Sequence, residues 1–355
     1  MTPKTVVRGS KSHRVLLAGI GLVVIALVIW IPNAFPPFRL FQMTLAIGAA
    51  VAVIGLALVT TLGGQISLAQ NAFFAIGAYA TAVLVADHGW NHLVTLPVGA
   101  GISFAVGLAL GLPALRLKGL YLALVTMAFA IIIVPLIKRY DGLTGGNQGK
   151  LASQPHAPSW SGMGDDTWIY AITVAVAVVM FVLAHNIIKS SVGRSLNAIR
   201  HSELVAETMG VNVARLKLLA FATSAAFAGV AGGLFTIVVG FVAADSFGLL
   251  ISIEFLAALV VGGSVAIAGA LLGSMFIEFL PVWASDVNDA FAGVLFGVIL
   301  IVIMVFFSDG ATGFVKRLVS RFVVIRHPIT TSPDGGSDES GDEAPQGELE
   351  EKAQS

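Results

Sequence analysis

Long apolar stretches separated by short polar segments dominate this sequence. A helix needs about 20 mainly apolar residues to cross the hydrocarbon core of a bilayer. Ten stretches meet or approach that length, although the boundary at residues 262–264 could instead be a re-entrant turn. The predicted spans lie near residues 14–32, 39–61, 66–86, 93–113, 119–137, 167–188, 216–240, 248–263, 265–284 and 288–307. The pattern therefore predicts an all-α, polytopic membrane protein of about ten transmembrane helices.

The composition agrees with a chain whose surface faces lipid. Hydrophobic residues make up 57% of the 355 residues and charged residues 11%, whereas about 25% of a soluble domain is charged. The 39 glycines suit close helix packing. With no cysteine and no histidines at metal-ligand spacing, thiolate chemistry is excluded and neither a metal nor another cofactor is predicted. The zero net charge gives no reason to expect nucleic-acid binding.

Basic residues are distributed unevenly between alternate loops. Loops rich in Lys and Arg are retained on the cytoplasmic side. With a cytoplasmic N-terminus, 16 of the 20 Lys and Arg residues fall inside, and only Arg39, Lys138, Arg139 and Lys150 fall outside. We therefore expect both termini in the cytoplasm. A cleaved signal peptide is the alternative for the first span, but residues 31–35 lack a small-x-small cleavage site.

The charge pattern divides the chain into three parts. Residues 1–13 are a predicted cytoplasmic tail, and 14–307 form a predicted transmembrane domain with a cytoplasmic loop at 189–217 and an extracytoplasmic loop at 138–166. Residues 308–355 are basic at first and then rich in Ser, Gly, Asp and Glu. Because such a segment cannot bury enough apolar surface to fold, we expect a disordered cytoplasmic tail.

The cytoplasmic loop has an amphipathic pattern. Leu196, Ile199, Val205 and Met209 recur at helical spacing, which predicts a short surface helix that ends near Gly210. Such a helix could dock on a partner protein or lie on the lipid headgroups. The pattern alone leaves both interpretations open.

This loop resembles the LivM-type permease subunits of branched-chain amino-acid ABC importers, in the inner-membrane translocator family. In that family a Gly-Arg-x-x-x-Ala-Ile-Arg stretch leads into a short helix that docks on the ATPase. Closure of the ATPase on nucleotide would then tilt the attached spans. The resemblance implies that the ATPase-coupling residues are Gly193, Arg194, Ala198, Ile199, Arg200, Glu203, Ala206 and Gly210.

Residues 63–79, GGQISLAQNAFFAIGAY, resemble a second motif of the family, in which Ala69 and Gln70 here replace Gly-His. The polar side chains of this stretch are costly in hydrocarbon unless they face protein or water. They either contact solute or hydrogen-bond neighbouring helices. The substrate-path candidates are Gln65, Ser67, Gln70, Asn71, Phe73 and Tyr79, with Thr126 from a third matching segment at 114–130.

The extracytoplasmic run GLTGGNQGK at residues 142–150 resembles the family's Leu-Thr-Gly-Gly element. It is not a phosphate loop, because the spacing is one residue short and Leu151 stands where Ser or Thr is required. We assign Thr144, Gly145 and Gly146 to a turn near the dock of a solute-binding protein. No other segment has a phosphate-binding pattern, so the chain is predicted to be a non-catalytic permease driven by a separate ATPase.

The resemblance covers roughly residues 40–314 and implies an ABC importer permease fold with two halves of inverted topology. It implies import of branched-chain amino acids, or of a related solute such as urea or an amide, across the bacterial plasma membrane. The implied partners are a second, LivH-type permease subunit, two LivG/LivF-type ATPase subunits, an extracytoplasmic solute-binding protein and membrane lipid. One departure is Ser308-Asp309-Gly310, where the family has Pro-Arg-Gly.

Two other classes of function remain open at this point. An ion-gradient-driven secondary transporter would be expected to pair ionisable residues in mid-span, and the acidic candidates are Asp245, Glu254 and Glu278. The two glutamates could instead lie near helix ends that face water. The third class is a scaffolding membrane protein that acts through its cytoplasmic loop and tail.

Overall fold

Long helices make up most of the described chain. This computed structural model describes residues 30–32, 34–115, 117, 119–263 and 267–287, together with 4–7, 294, 297–299, 301–302 and 323–326. A π-helix (Leu58–Leu62) continues α1, and a 3-10 helix (Ala244–Phe247) precedes α10. In chain order the α-helices are α1 (Pro37–Ala57), α2 (Gln70–His88), α3 (His92–Ala114), α4 (Leu120–Arg139), α5 (Asp141–Thr144), α6 (Asp165–Lys189), α7 (Ser191–His201), α8 (Glu203–Thr208), α9 (Val213–Val239), α10 (Leu249–Gly262) and α11 (Ile267–Val287).

Among the described residues, six helices are long and apolar enough to cross a membrane. They cover Pro37–Leu62, His92–Pro113, Leu120–Arg139, Asp165–Lys189, Val213–Val239 and Ile267–Ser285. Each predicted span between residues 39 and 284 overlaps a helix, which confirms the helical, membrane-spanning class. The predicted spans at 14–32 and 288–307 lie largely outside the described residues, so the count of ten stays a prediction.

Two predicted spans are shorter helices than the sequence suggested. The helix expected from residue 66 begins only at Gln70, because residues 63–69 are not helical. Gly64 in this segment has φ of +64°, a conformation that glycine adopts easily and that interrupts a helix. The helix expected at 248–263 is α10, whose 14 residues extend only about 21 Å. Helix α10 is therefore too short to cross a hydrocarbon core of about 30 Å alone.

Helix α9 lies at the centre of the described helices and packs against α1, α2 and α3. The approach to α2 is close, because a Cβ atom on Gly77 would collide with the backbone of Gly229. A Cβ atom on Gly232 would likewise collide with the backbone of Phe74. Glycine at these positions lets the two backbones touch, so van der Waals contact can hold the helices together where hydrophobic exclusion is absent.

Two pairs of short strands join parts of the chain that are distant in sequence. Strand β1 (Lys4–Val7) pairs in parallel with β4 (Val323–Arg326), and β2 (Lys150–Leu151) pairs antiparallel with β3 (Phe241–Val242). The first pair brings residues 4–7 beside residues 323–326, and β4 lies within the tail predicted to be disordered. The second pair connects the loop after α5 to the loop after α9.

Ion pairs stabilise the end of the bundle that carries β2 and β3. Lys150 Nζ lies 2.6 Å from a carboxylate oxygen of Asp87, at the end of α2. Lys138 Nζ, at the end of α4, lies 2.7 Å from a carboxylate oxygen of Asp245. The ends of α2 and α4 and the segment after α9 are therefore tied together at this end, which we call the β2–β3 end.

Candidate functional site

Two short helices, α7 and α8, occupy the loop that the sequence predicted as one surface helix. Helix α7 begins after Ser190, whose side-chain oxygen accepts a hydrogen bond from the Gly193 amide at 3.4 Å. The chain is extended at Ser202, where φ is −159°, and its hydroxyl caps α8 by accepting from the Val205 amide at 3.3 Å. Serine is a favoured N-cap because its oxygen satisfies an amide that the helix leaves unpaired. The predicted single helix is therefore interrupted at Ser202.

The break at Ser202 separates the predicted apolar face into two parts. Leu196 and Ile199 on α7 are buried as expected, with 1% and 2% of their surface exposed. Val205 and Met209 were expected on the same face, but they are 54% and 79% exposed. That expectation was wrong because Val205 follows Leu196 by nine residues, about two and a half helical turns, which puts it on the opposite side of a helix. The chain is also extended at Ser202, between the two helices. Leu204, at 76% exposed, joins them in an exposed apolar patch of Leu204, Val205 and Met209.

The residues assigned to ATPase coupling differ in what they contact. Gly193, Ile199 and Ala206 are buried, whereas Arg194, Ala198, Arg200 and Gly210 are exposed and Glu203 is half-buried. Two of the charged side chains contact other parts of the permease rather than extending away from it. Arg200 Nη1 donates to the Thr61 carbonyl at 2.8 Å, and Lys217 Nζ donates to Glu203 Oε1 at 2.5 Å.

A buried polar junction lies where α2 begins. Gln70 Nε2 donates to the Ala52 carbonyl of α1 at 2.8 Å, and its Oε1 accepts from the Ser224 hydroxyl of α9 at 3.3 Å. Gln70 is 1% exposed. Both ends of its side-chain amide are thus satisfied by helices, as a polar group in a membrane interior requires.

Asn71, next to Gln70, joins three further elements. Its Nδ2 donates to the Ala130 carbonyl of α4 at 3.0 Å and to the Phe247 carbonyl at 2.9 Å. Its backbone amide donates to Ser252 Oγ at 2.9 Å, and that hydroxyl donates to Asn71 Oδ1 at 2.8 Å. The first turns of α2 and α10 are therefore held together at Asn71 and Ser252.

The other substrate-path candidates surround this junction. Thr126 Oγ1 accepts from the Leu68 amide at 3.1 Å, and Ser67 Oγ accepts from the Ala69 amide at 3.4 Å. Phe73 is buried, with ring centroids of Phe129 and Phe221 at 5.6 and 5.7 Å.

Gln65 and Tyr79 differ from these side chains. Within the described part of the chain, Gln65 Oε1 and the Tyr79 hydroxyl are buried without a hydrogen-bond partner. The structure therefore brings Ser67, Gln70, Asn71, Phe73 and Thr126 together around the start of α2, whereas Tyr79 lies in the middle of that helix. The polar groups of Ser67, Gln70, Asn71 and Thr126 are satisfied within the protein.

The Thr144, Gly145 and Gly146 turn lies at the β2–β3 end. Thr144 Oγ1 lies 2.7 Å from the Ile137 carbonyl and accepts from the Gly146 amide at 3.2 Å. Gly145 and Gly146 have φ of +77° and +55°. Thr144 and the two glycines thus form a tight turn that follows α5.

Two cavities lie among the helices. The larger, about 360 Å³, is apolar and is lined by α2, α3, α4 and α5, including Tyr79 and Thr144. The smaller, about 100 Å³, is lined by α1, α9, α10, α11 and Phe74 of α2, and it includes Glu254 and Glu278. Pattern reading missed this convergence, because the two glutamates are on different helices and Glu278 lies in the middle of α11.

The region that contains these features matches a known protein family. Residues 39–305 match the family described as "Branched-chain amino acid transport system / permease component". The chain belongs to this family. Family membership confirms the resemblance seen in the cytoplasmic loop and in the 63–79 segment. The matched region includes α1 to α11, the polar junction and the exposed patch of α8.

Curated relatives in this permease family include two kinds of subunit. The high-affinity branched-chain amino acid transport system permease proteins LivM of Salmonella typhimurium and of Escherichia coli are both 30% identical over 72% of the chain. The chain spans 66% of the length of each, slightly less than two thirds. The Escherichia coli permease protein LivH is 25% identical over 76% of the chain and 93% of its own length. No solved structure matches the chain.

Proposed function

We propose that this chain is a membrane-spanning subunit of an ATP-driven importer that carries branched-chain amino acids, or a related small solute such as urea or an amide. The relatives support the solute class, since LivM and LivH proteins are both named as permease proteins of branched-chain amino acid transport. The observation that carries the importer mechanism is the α7–α8 pair. It combines a face buried on the permease with an apolar patch that faces away from it.

The patch of Leu204, Val205 and Met209 is the proposed dock for an ATPase subunit. Large apolar side chains that cluster on a surface mark an interaction site. The predicted ATPase-coupling residues would hold α7 and α8 in the geometry that presents this patch. They are Gly193, Arg194, Ala198, Ile199, Arg200, Glu203, Ala206 and Gly210. The complete transporter would contain two LivG/LivF-type ATPase subunits, which supply the energy because this chain is proposed to be non-catalytic.

A second, LivH-type permease subunit and an extracytoplasmic binding protein complete the proposal. Thr144, Gly145 and Gly146 sit at the β2–β3 end, opposite in the predicted topology to the α7–α8 pair, and would lie near the dock for the binding protein. Among the substrate-path candidates, Ser67, Gln70, Asn71 and Thr126 form hydrogen bonds within the protein. We propose that they hold the helices in place beside the path of the solute. Gln65 and Tyr79 each have a polar atom without a partner among the described residues, and solute could use these atoms.

The proposed topology has about ten spans, with both termini in the cytoplasm of a bacterial cell. Pairing of β1 with β4 supports termini on one side, since it places residues 4–7 beside residues 323–326, which follow the last predicted span. Two matching interruptions support an inverted repeat. Each of α2 and α10 follows a non-helical or 3-10 segment, and their first turns meet at Asn71 and Ser252, as in transporters whose broken helices face each other.

Uptake by reconstituted vesicles tests the proposal. Vesicles would contain this chain, the second permease subunit and both ATPases, with the binding protein and labelled leucine added outside. We expect accumulation that needs ATP inside the compartment equivalent to the cytoplasm and that persists when ion gradients are collapsed. Uptake that continues without ATP but stops when an ion gradient is collapsed would favour a secondary transporter. The cavity that contains Glu254 and Glu278 would then be the candidate ion-binding site.

A further inference from the structure

Arg200 connects α7 to the point at which α1 ends. Its Nη1 donates a 2.8 Å hydrogen bond to the carbonyl of Thr61, in the π-helix, from a position 139 residues away in sequence. The last carbonyl groups of a helix lack partners within it and lie at the negative end of its dipole. A guanidinium at this position therefore caps the helix from outside.

Gly64 completes this contact. Its φ of +64° is one that side-chain-bearing residues rarely adopt, and a Cβ atom placed on it would lie 3.5 Å from Arg200 Cγ. The aliphatic part of Arg200 thus lies beside Gly64, where the π-helix changes into the non-helical segment 63–69. Arg200 fixes the end of the π-helix by its hydrogen bond to Thr61 and lies next to the start of this segment.

The other end of segment 63–69 is anchored among the membrane-spanning helices. The Leu68 amide donates to Thr126 of α4, and Gln70 is bonded to α1 and α9. A movement of α7 would therefore reach the start of α2 through seven residues that are fixed at both ends. The contact between Arg200 and Thr61 is where a movement of α7 would be transmitted to the end of the π-helix.

We infer that Arg200 is a positioning residue that transmits movement of the α7–α8 pair to segment 63–69, rather than a contact for the ATPase. The inference rests on the proposed function, since it concerns how ATPase closure reaches the spans. It assigns docking and transmission to different helices: the exposed patch is on α8, whereas α7 is seated on the permease through Leu196 and Ile199.

The test measures solute imported per ATP hydrolysed in the reconstituted complex. Arg200→Gln removes the charged donor, and Arg200→Lys keeps the charge with a single donor group. Gly64→Ala leaves every charge in place and strains the backbone beside Arg200, because φ of +64° is unfavourable for a residue with a side chain. Arg215→Gln is the matched control, because it removes an exposed charge from the same loop without touching the Thr61 carbonyl. Co-purification of the ATPases is measured for every variant.

We expect the Arg200→Gln and Gly64→Ala complexes to retain their ATPases and to import about tenfold less solute per ATP, the size of effect that loss of one charge-assisted hydrogen bond produces. The Arg200→Lys complex should show a smaller fall in solute imported per ATP, and the Arg215→Gln complex should have the same ratio as the wild type. A purely structural defect would lower import and hydrolysis together and leave their ratio unchanged.

Two results would overturn the inference. One is an unchanged ratio in Arg200→Gln, and the other is loss of the ATPases from that variant, which would make Arg200 part of the dock. Failure of the proposed function is a separate result, seen as a wild-type complex that does not import solute with ATP.

Discussion

At the scale of single residues, Asn71 uses both ends of its side-chain amide within the protein. Its partners are on α4, on α10 and in the 3-10 helix before α10. Asn71 is fully buried, and an unpaired polar group in such a place is costly. We therefore interpret Asn71 as a residue that fixes helices in place rather than one that binds solute.

Replacing Asn71 with alanine should destabilise the protein. The carbonyl groups of Ala130 and Phe247 would lose their donor, and we expect the free energy of unfolding to fall by about 2–4 kcal/mol. Thermal unfolding in detergent measures the change, with exposed Asn197→Ala as the control, expected to stay within about 0.5 kcal/mol of wild type. An Asn71→Ala protein that melts like wild type but fails to import would instead place Asn71 on the solute path.

The sequence could identify Asn71 and Gln70 as special, because amides are rare inside membrane helices. It could not identify their partners. Ser252 lies 181 residues from Asn71 and Ser224 lies 154 residues from Gln70. Such partners depend on how distant helices pack, and no local pattern contains that information.

At the scale of secondary-structure elements, the loop after α6 contains two helices that are separated at Ser202. Helical periodicity predicted the buried face of Leu196 and Ile199 correctly. It was wrong for Val205 and Met209, because Val205 follows Leu196 by nine residues, about two and a half turns, and would lie on the opposite side of any continuous helix. The spacing also did not show that Ser202 begins a new helix as its N-cap.

Charged substitutions in the exposed patch of α8 should prevent ATPase binding without unfolding the permease. Leu204→Asp combined with Met209→Asp is expected to weaken co-purification of the ATPases at least tenfold, since each Asp would bury an unpaired carboxylate in an apolar interface, which costs about 3 kcal/mol or more. Leu151→Asp is the control, because Leu151 lies at the β2–β3 end and is 75% exposed, against 76% for Leu204. Equal recovery of the ATPases by both proteins would favour a helix that lies on lipid headgroups.

At the scale of the whole molecule, the sequence predicted each long apolar helix between residues 39 and 284 but not how α2 and α10 begin. It did not predict the short helix α5, and it joined α7 and α8 into one helix. Hydropathy analysis detects stretches of the chain that are long and apolar enough to lie inside the membrane. It does not detect that residues 63–69 leave the helix, since Ile66 and Leu68 are as apolar as helical neighbours. Conformation there depends on Gly64 and on contacts from Arg200 and Thr126.

The absence of cysteine makes the proposed topology directly testable. Single cysteines at Ser159 and Asn197, both exposed, would lie on opposite sides of the membrane. In intact cells an impermeant maleimide should label Ser159→Cys, and it should label Asn197→Cys only after permeabilisation. Labelling of Asn197→Cys in intact cells would reverse the orientation and place the α7–α8 pair away from any ATPase.

The shortness of α10 affects how the chain enters the membrane during synthesis. Insertion machinery selects segments by their apolar length, and 14 residues fall short of the roughly 20 that span a bilayer. Helix α11 follows almost at once and is long enough to be inserted by itself. Helix α10 should therefore enter together with α11 as a hairpin, so that mutations that weaken α11 would also leave α10 outside the membrane and Ser252 without access to Asn71.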